Sequence, residues 1–567
     1  MWTYPLARAV CLIGLLVMVA VIGRYALDVT AHHDEYQYFT AAMLWPDLAL
    51  YRDFHYSQTP YFPVALSWWI GATGGDSPYL AAKIFNLAWS VIFILTLWSL
   101  TRWISRSGLI ATLITFAVTA SPILSMVLVV VRNDIMAVSL GMAGLALVLL
   151  ASDRERSGRA RTLALFGGVF LALATGTKQS FVILPLSAVA FTLFLSSAGA
   201  FRHRILDLFL PLVLGGIAGS LPAIALALVE WPNFLFATAE FHLTAHAEWS
   251  RRHSQSEFSG TVLSFLRLAK YMINGSNVFL ALVMATGLCL ALPNLARSPL
   301  FSRSTREGRA MLLALAGIAF GTPLMLTATP LHVHYTAPLL LFQAIGCAAA
   351  AHALWGQAAT PAGRAVYLLT AGLIVAGVAV FAFLNPRPTG HPVHDGAYHR
   401  VFQEAGTPDQ AFASDRMARI RAAFHDILGP ADPELCFATL MPLYPLEAGY
   451  NVYPQFAGSP FFYKVNDMYE PNRLRDLNGL APGEVYDWLG EVDAQALLIG
   501  FDADLEGGFR DYAQDHGFQA FEIDLRDGHD YGDKEQEPIA TLLVSPDRLA
   551  GAGAGAGASS RPLGHCP

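Results

Sequence analysis

Two adjacent carboxylates occur in the segment His32-His33-Asp34-Glu35-Tyr36, which directly follows the first apolar stretch of the chain. Such a pair can supply a general base together with a ligand for a metal ion or a hydroxyl group. The alternative is structural: Asp34 would cap a helix that begins at Glu35, since carboxylates bind the free N–H groups of a first helical turn. The sequence leaves both interpretations open.

Two further acidic residues also have a structural alternative. Asp53 follows Arg52, and the two could form an exposed ion pair, which contributes little to stability. Asp134 lies in Arg132-Asn133-Asp134, before an apolar stretch whose helix it could cap. If they are functional, both lie where a substrate could be bound.

Three polar residues lie at the ends of later apolar stretches. Lys178 stands between two of them, where an ionised side chain is costly unless it reaches water, a carboxylate or a phosphate. His334 and Tyr335 begin another stretch and are placed to reach the same side of a membrane. A single histidine is more often structural, so its role stays open here.

His242 and His246 are four residues apart, a spacing that could bind a metal ion from one face of a helix. The zinc-peptidase signature requires glutamate directly after the first histidine, and Leu243 stands there instead. The sequence therefore argues against a metallopeptidase. A divalent metal held by Glu35, His242 or His246 remains open.

A mostly apolar chain must position these residues. Of its 567 residues, 54% are hydrophobic and 14% are charged, and the mean hydropathy is +0.44. Soluble domains have roughly 25% charged residues, so this chain needs lipid to cover its apolar surface. The same composition excludes intrinsic disorder, and the net charge of −7 gives no sign of a nucleic-acid partner.

About eleven apolar stretches are close to the ~20 residues that cross a bilayer. They lie at residues 6–27, 80–101, 108–130, 133–152, 162–178, 180–199, 207–230, 276–296, 310–328, 335–355 and 365–385. Arginines concentrate in every second loop, which predicts a cytoplasmic N-terminus. The odd number of spans, which depends on a split at residues 176–179, then places the chain after residue 386 outside the cytoplasm.

The predicted organisation has three parts. Residues 1–385 form a membrane domain with a first outer loop at 28–79 and a second large one at 231–275. In the first loop, Tyr36–Trp45 and Tyr61–Gly71 are too short to span and are predicted to be helices at the membrane surface. Residues 386–550 form an extracytoplasmic α/β domain, and residues 551–567 form a flexible Gly/Ala-rich tail.

Short apolar runs predict four strands in the α/β domain, at Cys436–Leu440, Ala496–Gly500, Phe518–Ile523 and Ile539–Val544. The five cysteines are scattered singly and predict no disulfide framework. The chain lacks a Walker phosphate loop, a dinucleotide-binding glycine motif and a GxSxG elbow in a suitable context. Nucleotide hydrolysis is therefore not indicated.

Several motifs together resemble the GT-C superfamily of polyprenyl-phosphate-dependent glycosyltransferases. The resemblance is strongest to the dolichyl-phosphate-mannose-protein mannosyltransferase-like branch, which includes the lipid A aminoarabinose transferases. It covers about residues 1–385 in span order and is carried by short motifs. These are His33-Asp34-Glu35-Tyr36, Tyr51-Arg52-Asp53-Phe54, Gln58-Thr59-Pro60-Tyr61, Arg132-Asn133-Asp134, Thr177-Lys178 and His334-Tyr335.

The resemblance implies a polytopic α-helical membrane protein with a GT-C-like fold. The short loops and the frequent use of Ala, Gly and Arg favour a bacterial source, and hence a bacterial inner membrane. The resemblance also implies inverting transfer of a sugar from a polyprenyl-phosphate carrier to a glycan, lipid or protein acceptor outside the cytoplasm. Asp34 would be the general base, and Glu35 would assist in positioning or in binding a metal. Lys178, Arg132 and His334 would bind the donor phosphate. Asp53, Gln58, Tyr61, Asp134 and Tyr335 would contact substrate.

One position departs from the family pattern. Aminoarabinose transferases have lysine before the paired prolines of the first outer loop, whereas this chain has Gln58-Thr59-Pro60. The missing charge favours a less defined hexosyl- or pentosyltransferase over an aminoarabinose transferase. Two other classes remain: a transporter or flippase of lipid-linked glycans, and a structural component of the cell envelope.

Overall fold

The fold is taken from a computed structural model of the chain. It describes residues 4–29, 31–45, 47–73, 75–153, 158–196, 201–245, 247–249, 260–292, 298–327, 331–357, 372, 398, 413–525, 539–552 and 566. The predicted span at 365–385 and the start of the predicted α/β domain lie almost wholly outside these residues.

The membrane domain is built from helices. The first eight are α1 (Tyr4–Asp28), α2 (His33–Leu44), α3 (Tyr61–Thr73), α4 (Pro78–Ser105), α5 (Gly108–Thr119), α6 (Pro122–Val129), α7 (Asn133–Ser152) and α8 (Gly158–Thr177). Further helices are Ile183–Ala190, Phe201–His203, Leu210–Val229, Trp231–Leu235, Phe241–Leu243, Gly260–Ile273, Asn277–Ala291, Arg306–Leu326 and Ala337–Gln357. The helices α2 and α3 confirm that the two predicted segments of the first outer loop are helical, and their location at the membrane surface stays a prediction.

Within the described residues, seven helices are long and apolar enough to cross a membrane, and there are up to nine spans if each of two bent helix pairs counts as one. The bent pairs are α5 with α6, and Val262–Ile273 with Asn277–Ala291. The chain is thus a multi-pass helical membrane protein. The full count of eleven stays a prediction, since Gln179–Leu195 is a shorter apolar segment and 365–385 is not described.

The predicted split near residue 178 is confirmed. The helix α8 ends at Thr177, Lys178 has extended backbone angles (φ −150°, ψ 120°), and a short 3-10 helix follows at Gln179–Val182. The lysine side chain is buried, with 3% exposed. The break therefore presents a charged side chain inside the protein, where it needs a carboxylate partner.

Glycines let α8 lie directly against the helix Leu210–Val229. A Cβ atom on Gly168 would overlap the carbonyl oxygen of Leu212, and one on Gly215 would overlap that of Leu165. Small residues allow close backbone approach in membrane helix pairs, where dispersion contacts replace the hydrophobic effect. The close packing of the two helices fixes the position of α8, and Lys178 directly follows its last residue.

The C-terminal domain contains a five-stranded sheet. Its strands are β1 (Cys436–Thr439), β2 (Asn451–Val452), β3 (Ala496–Ile499), β4 (Gln519–Asp524) and β5 (Ile539–Val544), in the order β2-β1-β3-β5-β4. β1 is parallel to β2 and β3, whereas β5 is antiparallel to β3 and β4. The four predicted strands are present, and only the two-residue β2 was not predicted. Among the described residues, this domain has six α-helices: Ala413–Leu428, Leu443–Glu447, Pro471–Asp476, Val485–Glu491, Gly507–Asp515 and Pro546–Ala552.

A disulfide corrects the prediction about the cysteines. Cys436, in β1, is bonded to Cys566, whose Cα atom lies 5.8 Å away, across a sequence separation of 130 residues. The spacing rules for cysteines detect local frameworks and metal sites, so a single long-range pair gives no signal in one sequence. The tail predicted to be flexible is therefore tied at Cys566 to the first strand of the sheet.

The C-terminal domain packs on the first outer loop. Glu447 accepts hydrogen bonds from the Ser77 hydroxyl (2.6 Å) and from the Tyr79 backbone N–H (2.9 Å), at the start of α4. Tyr444 lies beside Tyr36 of α2, with their hydroxyl oxygens 3.4 Å apart. The domain is thus anchored beside the turn that carries Asp34.

A buried histidine lies where three parts of the protein meet. His55, of the first outer loop, stacks on Phe462 of the C-terminal domain at 3.8 Å and contacts Phe236 and Phe241 of the second outer loop. Its Nε2 atom has no hydrogen-bond partner among the described residues. Burial, helped by the nearby His242, lowers the pKa of His55 to about 3.

We expect this junction to weaken in acid. The folded pKa lies below the ordinary value of about 6.5, so the unfolded chain takes up a proton first and stability falls as the pH drops from 6.5 towards 3. Between pH 6.5 and pH 5 the loss is about 2 kcal/mol. His55→Phe keeps the aromatic packing and should show a smaller acid loss in thermal unfolding of the solubilised protein. An equal acid loss in wild type and His55→Phe would contradict this assignment.

Candidate active site

The first turn of α2 leaves the Asp34 carboxylate available for the site. His32 is the N-cap, its Nδ1 accepts a hydrogen bond from the Asp34 N–H (3.2 Å), and Glu35 Oε2 accepts one from the His32 N–H (2.8 Å). This reciprocal arrangement is a capping box. The alternative in which Asp34 caps the helix is therefore wrong. The Asp34 carboxylate binds Arg132 NH1 at 2.5 Å instead.

Glu35 points away from Asp34 into the protein and is fully buried. Its Oε1 accepts hydrogen bonds from Lys83 Nζ (3.0 Å) and from the Val131 N–H (2.5 Å), while Oε2 also accepts one from the Tyr79 hydroxyl (2.7 Å). Together with His32, these four donors use the acceptor positions of the carboxylate. Glu35 therefore fits the predicted positioning role and does not fit a metal ligand.

The Glu35 carboxylate links the segment that carries Asp34 to the segment that carries Arg132. It binds the backbone two residues before Asp34 and also the backbone N–H that precedes Arg132. Lys83, a single lysine within α4 that is 1% exposed, neutralises its charge. Sequence reasoning missed Lys83, although a lone charge inside an apolar stretch is a signal of a buried partner.

We expect Lys83→Met to destabilise the protein by about 3 kcal/mol, because it leaves the buried Glu35 charge without its cation. The double variant Lys83→Met/Glu35→Gln should regain part of that loss, since it removes both charges. Thermal unfolding in detergent measures both. If Glu35→Gln lowered the free energy of unfolding as much in the Lys83→Met background as it does in wild type, the pairing of the two side chains would be contradicted.

Arg132 is the centre of the charged network. It has extended backbone angles between α6 and α7, and its buried guanidinium reaches three groups. NH1 binds Asp34 Oδ2 at 2.5 Å, NH2 lies 2.8 Å from His334 Nε2, and Nε lies 3.2 Å from Asp134 Oδ2. One side chain thus joins the first outer loop to α7 and to the segment before the last described span.

Asp134 extends the network to Lys178. Its Oδ1 accepts a hydrogen bond from Lys178 Nζ at 2.6 Å, and both side chains are buried. The helix α7 has no side-chain cap, so the predicted alternative in which Asp134 caps it is wrong. The Asp134 carboxylate lies between two cations because α8 ends at Thr177, and the extended residue that follows brings Lys178 beside the first turn of α7.

The electrostatics of the network act on Asp34. Burial by itself would raise the pKa of its carboxyl group, but Arg132 and, to a smaller extent, His32 and His33 hold that pKa well below its usual range. The side chain remains 14% exposed. Asp34 is therefore an ionised carboxylate at the edge of the network, and its basicity is suppressed while Arg132 stays bound to it.

The other predicted substrate contacts divide into two groups. Tyr335 and Gln58 lie at the network: the Tyr335 ring is 5.2 Å from Lys178 Nζ, and Gln58 Oε1 accepts a bond from Asn133 Nδ2 at 3.4 Å. Tyr61 packs away from it, since its hydroxyl donates to the Gly219 carbonyl at 2.6 Å.

Asp53 also lies apart from the network in the described contacts. It forms a two-point pair with the exposed Arg52 and accepts a hydrogen bond from the Ala49 N–H at 2.7 Å. The surface ion pair, which the sequence left as an alternative, is thus present. A role of Asp53 or Tyr61 in substrate binding stays a prediction.

The structure does not test the predicted metal pair of His242 and His246. His242 Nε2 lies 2.6 Å from the Ser57 carbonyl oxygen, and His246 lies outside the described residues. A different set, His32, His33 and Asp34, has ligand atoms within 4.8 Å of one another and could hold a metal ion. Arg132 binds the same carboxylate, so a divalent cation there would face the guanidinium charge at close range.

Comparisons with known proteins bear on the fold. No protein-family model matches the chain, and no curated protein matches it in sequence. Two crystal structures of ArnT from Cupriavidus metallidurans are similar to it, each with a TM-score of 0.55. The structure bound to undecaprenyl phosphate is 16% identical over 95% of this chain and 98% of that one.

The apo ArnT structure is 13% identical over 98% of this chain and all of the other. An oligosaccharyltransferase from Archaeoglobus fulgidus, in the apo form, has a TM-score of 0.48 and 12% identity, over 95% of this chain and 77% of that one. The fold assignment rests on the two ArnT structures. The chain shares the fold of ArnT over nearly its whole length, which confirms the predicted fold class.

Proposed function

We propose that the chain is a membrane glycosyltransferase that moves a monosaccharide from a polyprenyl-phosphate donor to a hydroxyl group outside the cytoplasm. The observation that carries this proposal is the pairing of the partly exposed Asp34 with Arg132, which is backed by Asp134, Lys178 and His334. A transfer of this kind needs a base for the acceptor and cations for the departing phosphate. The fold shared with ArnT, one structure of which is bound to undecaprenyl phosphate, supports this donor class.

The proposed reaction is an inverting displacement. The acceptor oxygen attacks the anomeric carbon, the bond from that carbon to the phosphate oxygen breaks, and polyprenyl phosphate leaves with the bonding electron pair. Asp34 takes the acceptor proton. Arg132 and Lys178 stabilise the negative charge that grows on the phosphate.

The suppressed basicity of Asp34 suggests how donor binding prepares the site. While Arg132 holds Asp34, the carboxylate is a weak base. A donor phosphate offers the guanidinium a second anion with matching two-point geometry. In our proposal Arg132 shifts towards the phosphate, and Asp34 then regains the basicity that it needs to accept the proton.

Two independent observations support an outer location of the site. The arginine bias of alternate loops favours an outer position for the first loop and the C-terminal domain. The Cys436–Cys566 disulfide favours the same side, because disulfides persist in oxidising compartments such as the bacterial periplasm. We therefore propose an inner-membrane protein whose active site faces outwards.

The test is transfer by the full-length chain in proteoliposomes that contain radiolabelled polyprenyl-phosphate hexoses and pentoses. We expect labelled sugar to reach an added envelope-glycan extract with the inverted anomeric configuration, together with release of polyprenyl phosphate. Movement of intact lipid-linked sugar across the bilayer without bond cleavage would overturn the proposal in favour of a flippase.

A further inference from the structure

The carboxyl ends of the parallel strands β1 and β3 of the C-terminal sheet face the candidate active site. β1 and β3 are parallel; Tyr444 follows β1 in the helix Leu443–Glu447, and Phe501 lies in the loop after β3. Both side chains contact Tyr36 of α2, two residues after Asp34. In open α/β sheets, ligands bind in the crevice outside the carboxyl ends of the strands.

Two phenylalanine rings of the C-terminal domain lie close to the His33 ring. The ring centroid of His33 lies 5.7 Å from that of Phe461 and 6.5 Å from that of Phe501. All three side chains are partly exposed, and His33 directly precedes Asp34. We call His33, Phe461 and Phe501 the aromatic edge.

The backbone that carries Phe501 is held in place. The buried Glu506 accepts hydrogen bonds from the N–H groups of Gly500 (2.8 Å) and Phe501 (3.1 Å). Gly500 has φ +125°, a conformation that other residues rarely adopt. The ring of Phe501 is thus presented by a fixed turn, as a preorganised binding surface requires.

We infer that the aromatic edge binds the pyranose ring of the acceptor, so that the acceptor hydroxyl belongs to a glycan or glycolipid. This inference rests on the proposed function and names the substrate class for the same site. The C–H groups on one face of a pyranose suit the negative face of an aromatic ring. The hydroxyl groups of the sugar would meet His33 and Asp34, which gives the mixture of apolar walls and few polar groups found in small-molecule sites.

The experiment compares Phe501→Leu and Phe501→Ala with wild type in the proteoliposome assay. The acceptor probes are methyl glycosides, octyl glycosides and a short peptide that contains Ser and Thr. We expect transfer to the glycosides and a rise of about tenfold in their KM in both variants. Phe501→Leu keeps apolar volume if Phe501→Ala folds poorly. Tyr486→Ala, which removes an aromatic side chain elsewhere on the same domain, is the matched control.

The outcomes separate the two proposals. Transfer to the peptide alone, or an equal effect of Tyr486→Ala and Phe501→Leu on KM, would overturn the inference while the glycosyltransferase proposal stands. A preference for octyl over methyl glycosides supports the inference and indicates a glycolipid acceptor, whereas equal use supports it and indicates a soluble glycan. A wild type that releases no sugar from any donor would overturn both.

Discussion

Asp34→Asn should reduce sugar transfer by about 10²–10⁴-fold, the usual contribution of a general base. The amide keeps the size of the side chain but cannot accept the acceptor proton. Its carbonyl oxygen can still accept the hydrogen bond from Arg132, so the local packing is preserved. The measurement is initial rate with saturating donor in proteoliposomes.

The matched control is Asp47→Asn, which neutralises an exposed aspartate in the same outer loop. It should transfer sugar at the wild-type rate. Donor binding by Asp34→Asn should persist or become tighter, since the variant removes a negative charge from beside the phosphate. Retention of full transfer by Asp34→Asn would eliminate Asp34 as the base.

Arg132→Gln should lower the transfer rate by about 10²–10³-fold, because the departing phosphate loses a preorganised cation. It also frees Asp34 from the charge that suppresses its pKa. The protonated form of Asp34 in the donor-free enzyme then persists to higher pH, so the acid limb of the profile of kcat/KM for the donor, which reports the free enzyme, should move upwards in pH. A merely structural arginine would lower the amount of folded protein without moving that limb.

Arg52→Gln is the control, since Arg52 is an exposed arginine that pairs with Asp53 in the same loop. It should leave both the rate and the pH profile as in wild type. An unshifted acid limb of kcat/KM in a folded Arg132→Gln protein would contradict the suppression of Asp34 by Arg132, on which the handover to the phosphate depends.

Much of the fold could be predicted because the signals are local. Apolar stretches of spanning length and short apolar strands give the helices and four of the five strands to within a few residues. The prediction failed where the signal is not local. β2 has two residues and no periodicity, and the pairing of Cys436 with Cys566 depends on contacts that a single sequence does not encode.

The candidate site was partly predictable for the same reason. Asp34, Asp134, Lys178 and His334 are charged or polar residues at the ends of apolar stretches, whereas Arg132 is a candidate only through the family resemblance. The structure brings all five together. Which partner each one takes could not be predicted, because that depends on helix packing. Hence both capping alternatives were wrong, and the pairing of Glu35 with Lys83 was missed.

The charge balance of the network has a consequence for the order of events after transfer. Asp34 and Asp134 offset Arg132 and Lys178, so these four side chains carry no net charge. In the proposed reaction the donor is a phosphodiester with one negative charge, and the product phosphate approaches two. Proton capture by Asp34 compensates for the second charge. When Asp34 then passes its proton to water, the doubly charged lipid phosphate faces two carboxylates again. Deprotonation of Asp34 is therefore the step that promotes release of the polyprenyl phosphate.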